Sequence, residues 1–365
     1  MLLDSRVLEL NSDCCEFCPV EGSQDLLAAG TYQLDEATQT RKGKLFLFSD
    51  EGGDGQVGLV DVASVDVSGI FDMKWIPVQT GEGRLSLGVA SADGNVRIFV
   101  YQKSGGLEGS LTEDHICENL VDSGMLLALD WSKDGPVTSM PETACVSSSS
   151  GELAIAKVGP GGMDAVEKWQ GHDLEAWSVA FDHWKAGVLY SGADDCKFKG
   201  WDLRSGTGTS LFCNSKAHGA GICCIVSSPH LEHELITGSY DEKIRFWDTR
   251  NTSKPVSHSE VGCGGGVWTL KYHPHDGNLL LAACMYNGFA IVRRDRSEQE
   301  VEVVERYTKH ESLAYGADWR WGCEDGQCRV ATCSFYDNLL HLWETETKYT
   351  WGASLGSTSN QAQNS

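Results

Sequence analysis

Histidine, aspartate and tryptophan recur at fixed intervals in this chain, and a histidine paired with an aspartate is a common general acid–base couple. His172 precedes Asp195 by 23 residues and Asp195 precedes Trp201 by six; His218, Asp241 and Trp247 repeat both intervals 46 residues further on. His310, Asp337 and Trp343 keep the six-residue step with a longer first interval, and Asp93 with Phe99 keeps it without a histidine. The recurrence favours a scaffold role over catalysis for these sets. Each histidine, a strand hydroxyl (Ser191, Thr237), the turn aspartate and the tryptophan are expected to form a buried hydrogen-bonded chain tying a loop to a strand.

The elements that must hold these sets are strands. Apolar runs such as Val188-Leu189-Tyr190-Ser191 and Lys243-Ile244-Arg245-Phe246-Trp247 alternate with Gly, Asp and Asn turns, the period-two pattern of hairpins. Seven units open with a strand ending at Phe17, Trp75, Trp131, Phe181, Ser227, Tyr272 and Trp319. The third and sixth lack the Asp/Trp pair, with Ser150-Gly151 and Asn287-Gly288 at the turn. One small twisted sheet cannot bury both faces, so such units stack and close into a ring. The chain therefore predicts an all-β, seven-bladed WD-repeat β-propeller over residues 1–350, with a disordered polar tail at 351–365. Leu34 to Lys44, Ser49 to Gln56 and Gln102 to Glu113 read as exposed connections.

With 29 basic and 52 acidic residues the formal charge is −23, which opposes a phosphate backbone or an anionic membrane and attracts a cationic ligand or basic protein surface. The same excess also serves solubility. No nucleic acid and no membrane partner is expected, since the longest apolar run, Leu279 to Met285, is far short of a bilayer span. Fourteen cysteines lie mostly in strand-like runs without a signal peptide before them, which points to buried thiols and a cytoplasmic location. Oligomeric state is left open.

Aligning the units brings one set of positions to the mouth of the ring. Four residues before each strand end stand Asp13, Phe71, Leu127, Trp177, Cys223, Trp268 and Tyr315; just before each turn aspartate or its equivalent stand Ala92, Ser149, Asp194, Tyr240, Tyr286 and Tyr336. Six of these are large aromatics on the last four blades, Trp177, Tyr240, Trp268, Tyr286, Tyr315 and Tyr336, and form the expected binding surface for a protein hot spot or a quaternary ammonium group. Glu175, Asp13 and Glu311 add acid. Gly264-Gly265-Gly266 before Trp268 either lends the amides of Gly265 and Gly266 to a ligand oxygen or serves as a flexible loop. Motifs for a nucleophile elbow, a Walker loop, a zinc helix or a dinucleotide fold do not occur. The lone Cys15-Glu16-Phe17-Cys18 lies within a strand, so no metal and no cofactor is expected.

Particular strings carry a closer resemblance: Asp13-Cys14-Cys15-Glu16-Phe17-Cys18-Pro19, Gly30-Thr31-Tyr32-Gln33-Leu34, Glu175-Ala176-Trp177, Gly264-Gly265-Gly266-Val267-Trp268, Leu281-Ala282-Ala283-Cys284-Met285 and the run from His310 to Trp319. These resemble the diphthine methyl ester hydrolase family, the WD-repeat protein of diphthamide biosynthesis, along nearly the whole chain to Trp343. The resemblance implies hydrolysis of the methyl ester of methylated diphthine on translation elongation factor 2, a substrate that also carries a trimethylammonium group. For that chemistry Asp13 and Glu175, with His310 third, are the base candidates by position, and the amides of Gly265 and Gly266 the oxyanion donors. The competing expectation is a non-catalytic WD-repeat adaptor that assembles partner complexes, the commoner use of such a ring.

Overall fold

The alternating runs form 29 strands in seven antiparallel sheets, and among the described residues there is no helix. A computed structural model describes residues 1–348 apart from 52–56, 80, 82, 106–107, 133–140, 160–161, 257–259, 323–325 and 327; the proposed tail lies outside the described residues. The inner strands, Ser12–Phe17, Ile70–Trp75, Leu126–Trp131, Ser178–Phe181, Ile222–Ser227, Thr269–Tyr272 and Ala314–Trp319, end at the seven residues expected from the sequence. The chain is thus an all-β, seven-bladed propeller. Blade one has five strands and the others four.

Two expected connections are strands instead. Gln102 to Glu113 lies mostly within Val96–Gly105 and Glu108–Cys117, whose paired backbones run side by side as a hairpin. Leu34 to Lys44 is a second hairpin, in which Gln33–Asp35 pairs with the start of Thr40–Glu51. Polar side chains on an outer strand face water on one side, so composition alone read them as loop. Of Ser49 to Gln56, the first three residues end the long strand and 52–56 fall outside the described residues.

Closure comes from the first residues of the chain. Leu2–Val7 pairs antiparallel with Leu339–Glu344 and supplies the outermost strand of blade seven, so the first and last described strands share one sheet. Seven buried apolar clusters hold the ring, and each lies between neighbouring blades: Ala28 and Leu45 meet Met73 and Trp75 between blades one and two, while Phe17 and Phe48 meet Ala331 and Leu342 between one and seven. No blade buries its faces without its neighbours, as the repeat argument requires.

Around the central channel the blades are also stitched by polar groups. The Glu16 carboxylate accepts the Trp75 amide at 3.0 Å, Asp72 that of Leu129 at 2.9 Å, Asp130 that of Phe181 at 2.8 Å and Asp318 that of Phe17 at 2.7 Å. The Ser178 hydroxyl does the same for Ile225 at 2.9 Å. Lys74 Nζ lies 2.6 Å from Asp72 and 3.6 Å from Glu16; Lys271 Nζ lies 3.2 Å from Glu16 and 3.6 Å from Asp318. All four carboxylates accept a backbone amide, and Glu16, Asp72 and Asp318 also face a lysine, the condition on which charge is tolerated inside a protein.

The histidine sets differ from blade to blade. In blade four the chain is complete: His172 Nδ1 to Asp195 at 3.1 Å, His172 Nε2 to the Ser191 hydroxyl at 2.7 Å, and the Trp201 indole N–H to the same hydroxyl at 2.8 Å. In blade five His218 and Trp247 share Thr237, each at 2.9 Å, but the His218–Asp241 link is missing and His218 Nδ1 is buried without a partner. Arg245, four residues along the hairpin, holds Asp241 at 2.8 Å, and a permanent cation outcompetes a neutral imidazole for a carboxylate.

Candidate functional site

A β-bulge adds a residue to one strand and re-aims its side chain. At the top of five inner strands the register skips one residue, and those residues are Asp13, Phe71, Leu127, Cys223 and Tyr315. In blades four and six the equivalent residues, Trp177 and Trp268, immediately precede the inner strand. The first set of mouth positions expected from the sequence is therefore one ring, built by a repeated backbone irregularity.

A second ring follows from a repeated hydrogen bond. The amides of Ala92, Ser149, Asp194 and Tyr240 donate to the carbonyls of Gly69, Met125, Glu175 and Gly221, each two residues before the bulge position, at 2.7–2.9 Å. In blade seven the residue making this bond is Phe335, to Leu313 at 3.0 Å, and in blade one it is Tyr32, to Asn11 at 2.9 Å. Tyr336 and Tyr286 were placed here from sequence, yet they lie one residue outward, 72 % and 82 % exposed. In blade six Ala283 pairs with Thr269 and Phe289 as Gly192 pairs with Ser178 and Phe198 in blade four, so Met285, not Tyr286, is the counterpart of Asp194. In blade seven the turn is one residue longer, since Ser191 and Thr237 precede their tryptophans by ten residues and Thr332 precedes Trp343 by eleven. Counting back from tryptophan misses that residue, and a one-residue slip moves a side chain to the other face.

The two rings put their aromatic members in contact. Trp268 meets Trp177 at 5.1 Å between centroids, Tyr240 at 6.2 Å and Tyr315 at 4.7 Å, the last pair stacked. Tyr315 meets Phe335 at 5.3 Å, Phe335 meets Tyr32 at 4.9 Å, and Tyr32 meets Phe71 at 4.5 Å. A continuous aromatic belt thus runs from blade four through blades six and seven to blade two. Sequence reasoning missed Tyr32 and Phe335; the string Gly30-Thr31-Tyr32 and the longer turn before Trp343 were the signals that could have found them.

Asp13 sits within this belt, 3 % exposed. Burial pushes its carboxyl well above the ordinary carboxylate range and the charge of Asp72 adds to the shift. Its own charge in turn adds to burial in raising the hydroxyls of Tyr32 and Tyr315. Glu175 stands on blade four, half-buried, with its carbonyl taken by the Asp194 amide. Asp194 is itself raised, chiefly by burial, with the charge of Glu175 adding.

His310 belongs to the scaffold of blade seven. Its Nδ1 meets the Ser334 hydroxyl at 2.6 Å, which donates to Asp337 at 2.5 Å, and its Nε2 meets the Thr332 hydroxyl at 2.9 Å, shared with the Trp343 indole. Ser334 is interposed between histidine and aspartate, in a turn one residue longer than that of blade four. Burial, helped by the nearby His341, lowers the His310 pKa to about 2. With both ring nitrogens engaged, His310 has no free nitrogen for a base, which corrects that expectation. Asp13, Glu175 and His310 lie on three different blades and are not brought together.

The glycine run has a packing reason. A Cβ on Gly265 would lie 2.1 Å from the Cys284 carbonyl, one on Gly266 2.7 Å from Met285 Sδ and 3.3 Å from the Tyr240 ring, and Gly264 has a φ of +74°. The run brings the backbone of blade six's approach against its own turn, where the Asn287 amide donates to the Cys263 carbonyl at 2.7 Å. Outside the belt, Tyr286, Tyr336, Glu311 and His310 line a rim cleft of about 530 Å³ between blades six and seven. Among the described residues no group of histidines, cysteines and acids is arranged to hold a metal ion.

The WD domain, G-beta repeat model matches residues 210–248, the blade five unit. The chain is 41 % identical over 333 residues to mouse diphthine methyltransferase, covering 86 % of this chain and 68 % of that protein. It is 39 % identical to the human diphthine methyltransferase, over 91 % and 77 % of the two chains, and 30 % identical to a Dictyostelium discoideum homologue over 94 % and 99 %. The chain belongs to the diphthine methyltransferase family. A solved chain of the mitotic checkpoint complex superposes with a TM-score of 0.65 over 93 % of this chain and 90 % of that one at 17 % identity, a likeness of fold alone.

These names correct the expected activity. The relatives are named for transferring a methyl group, not for hydrolysing an ester, so the assignment as a carboxylic ester hydrolase does not stand. The strings that carried the resemblance lie in the two mouth rings and the strands beneath them.

Proposed function

We propose that this protein binds diphthine on translation elongation factor 2 and acts at its methylation, as a methyltransferase of diphthamide biosynthesis. The observation that supports the reading best is the aromatic belt of Trp177, Trp268, Tyr315, Phe335 and Tyr32 around a buried carboxylate, Asp13. Ring faces attract a quaternary ammonium by about 0.5–2 kcal/mol each, and the trimethylammonium of diphthine suits such a surface. The formal charge of −23 favours approach of a basic face of the substrate protein. The described cysteines are all free thiols, which suits the reducing cytoplasm where we place the reaction. A sulfonium donor would supply the methyl group of such a transfer, its C–S bond breaking with the pair kept on sulfur as a lone pair of the acceptor atom bonds the carbon.

The test is elongation factor 2 carrying the modified histidine, incubated with the protein and an isotopically labelled sulfonium donor, with the methyl content of the histidine read by mass spectrometry. Label gained with the wild-type protein and lost with Trp268→Ala is the expected result; no label with any form overturns the reading. The separation of Asp13, Glu175 and His310 on three blades favours a second reading, the non-catalytic adaptor. Stable capture of elongation factor 2 with unchanged methyl content supports that one.

A further inference from the structure

Of the seven bulge-ring residues, Asp13 alone is a carboxylic acid; the others are Phe71, Leu127, Trp177, Cys223, Trp268 and Tyr315. Three residues further along the same strand, Glu16 has Lys74, Lys271 and the Trp75 amide. Asp13 has no such company. The titratable and charged groups that face it are Tyr32 from the end of blade one's second strand, Asp72 from blade two, Tyr315 and Cys333 from blade seven, and its neighbour Cys14. Lys74, a cation near this group, is held by Asp72 at 2.6 Å, and the charge of Arg41 acts on Tyr32. The blades are tight here, since a Cβ on Gly316 would lie 2.8 Å from Cys14 Cα, which leaves little room for a protein cation to reach in from blade seven. A buried carboxylate without a cation is costly when ionised, yet the belt around it is made of aromatic rings, which favour a cation.

We propose that Asp13 is the counter-ion for an organic cation of the quaternary ammonium class held in the mouth, and that the cation binds as Asp13 releases its proton to solvent. The inference rests on the reading of the mouth as a cation site. Charge balances: a neutral acid and a monocation become an ion pair and a free proton, with no other bond made or broken. Rings alone would bind the cation at any pH; the acid beneath them makes binding strengthen as pH rises, by up to tenfold per pH unit while Asp13 is protonated in the empty site. The same coupling keeps the empty mouth free of an uncompensated charge.

The experiment is calorimetric titration of the full chain with choline across a pH series, in buffers of differing ionisation enthalpy so that proton release is counted directly. The expected result is net release approaching one proton per choline bound, with affinity rising with pH. Asp13→Asn, which keeps the shape and removes the acid, is expected to lose proton release, to flatten the pH profile and to weaken binding at high pH at least tenfold, while Asp13→Glu restores part of the pH dependence. Trp268→Ala separates this from the parent reading: it weakens choline at every pH and leaves the proton count per bound choline unchanged. Choline binding to wild type without proton release, or equal binding by Asp13→Asn, overturns the role of Asp13 and leaves the aromatic cation site standing. No choline binding at any pH overturns the inference, and the methylation assay then judges the reading of the whole protein separately.

Discussion

Asp13 and Glu16 lie three residues apart on the inner strand of blade one, both buried, and the molecule treats them in opposite ways. Burial pushes Glu16 upward too, but Lys271 and Lys74 outweigh it and hold its pKa below the ordinary value, with the Trp75 amide as a further donor. Asp13 meets another acid, Asp72, and its pKa is raised. The contrast teaches that partners, not burial, separate a carboxylate that holds the ring together from one that waits for a ligand.

The largest effect expected from breaking that comparison is at Glu16. Glu16→Ala leaves the Trp75 amide without its acceptor at the junction of blades one and two and removes the carboxylate that Lys271 reaches from blade six, and chemical denaturation is expected to show a loss of about 3–5 kcal/mol. The histidine sets sharpen the same rule at smaller scale. His172 has both ring nitrogens bonded and His218 only one, so His172→Ala is expected to cost about 1–3 kcal/mol and His218→Ala distinctly less. Equal losses in thermal melts would contradict the missing link in blade five.

Proton linkage gives the next two tests. Burial lowers the His172 pKa, and lowers those of His218 and His310 to about 3 and about 2. Each stays neutral when folded while the unfolded chain takes up a proton near pH ~6.5. Their stabilising contribution is therefore full above that pH and is lost as pH falls toward the folded values, so the melting temperature is expected to drop steadily through the mildly acidic range. For Asp13 the sign reverses. A raised folded pKa contributes stability below the unfolded value of ~3.9, and that contribution is lost as pH rises toward the folded value. Asp13→Asn is therefore expected to raise the melting temperature at neutral pH by about 2–4 °C, with the gain vanishing near the unfolded value. A fall at neutral pH would show that Asp13 is a structural partner like Glu16.

The ring was legible in the sequence because each blade repeats the same local pattern. Phe17, Trp75 and Trp319 end inner strands as expected, and Trp177, Trp268 and Tyr315 stand in the mouth. Tyr336 was misplaced and Phe335 passed over because the longer turn of blade seven shifts the count by one, and Tyr286 was misplaced because the count in blade six was anchored one residue late, on Asn287; a strand's faces alternate with every residue. Gln102 to Glu113 looked like loop because an outer strand is polar where it meets water.

The sequence by itself determined the number of blades, the scaffold role of His172 and Asp195, and the supply of aromatic rings and acid for one opening, since these depend on spacing along the chain. Only the tertiary structure decided that Leu2–Val7 closes blade seven, that Arg245 takes Asp241 from His218, that His310 is fully engaged and that Asp13 lacks the lysines its neighbour Glu16 enjoys. Each of these turns on which group from a distant part of the chain arrives within a few ångströms, and the strength of a charge or a hydrogen bond falls too steeply with distance for spacing in sequence to foretell it.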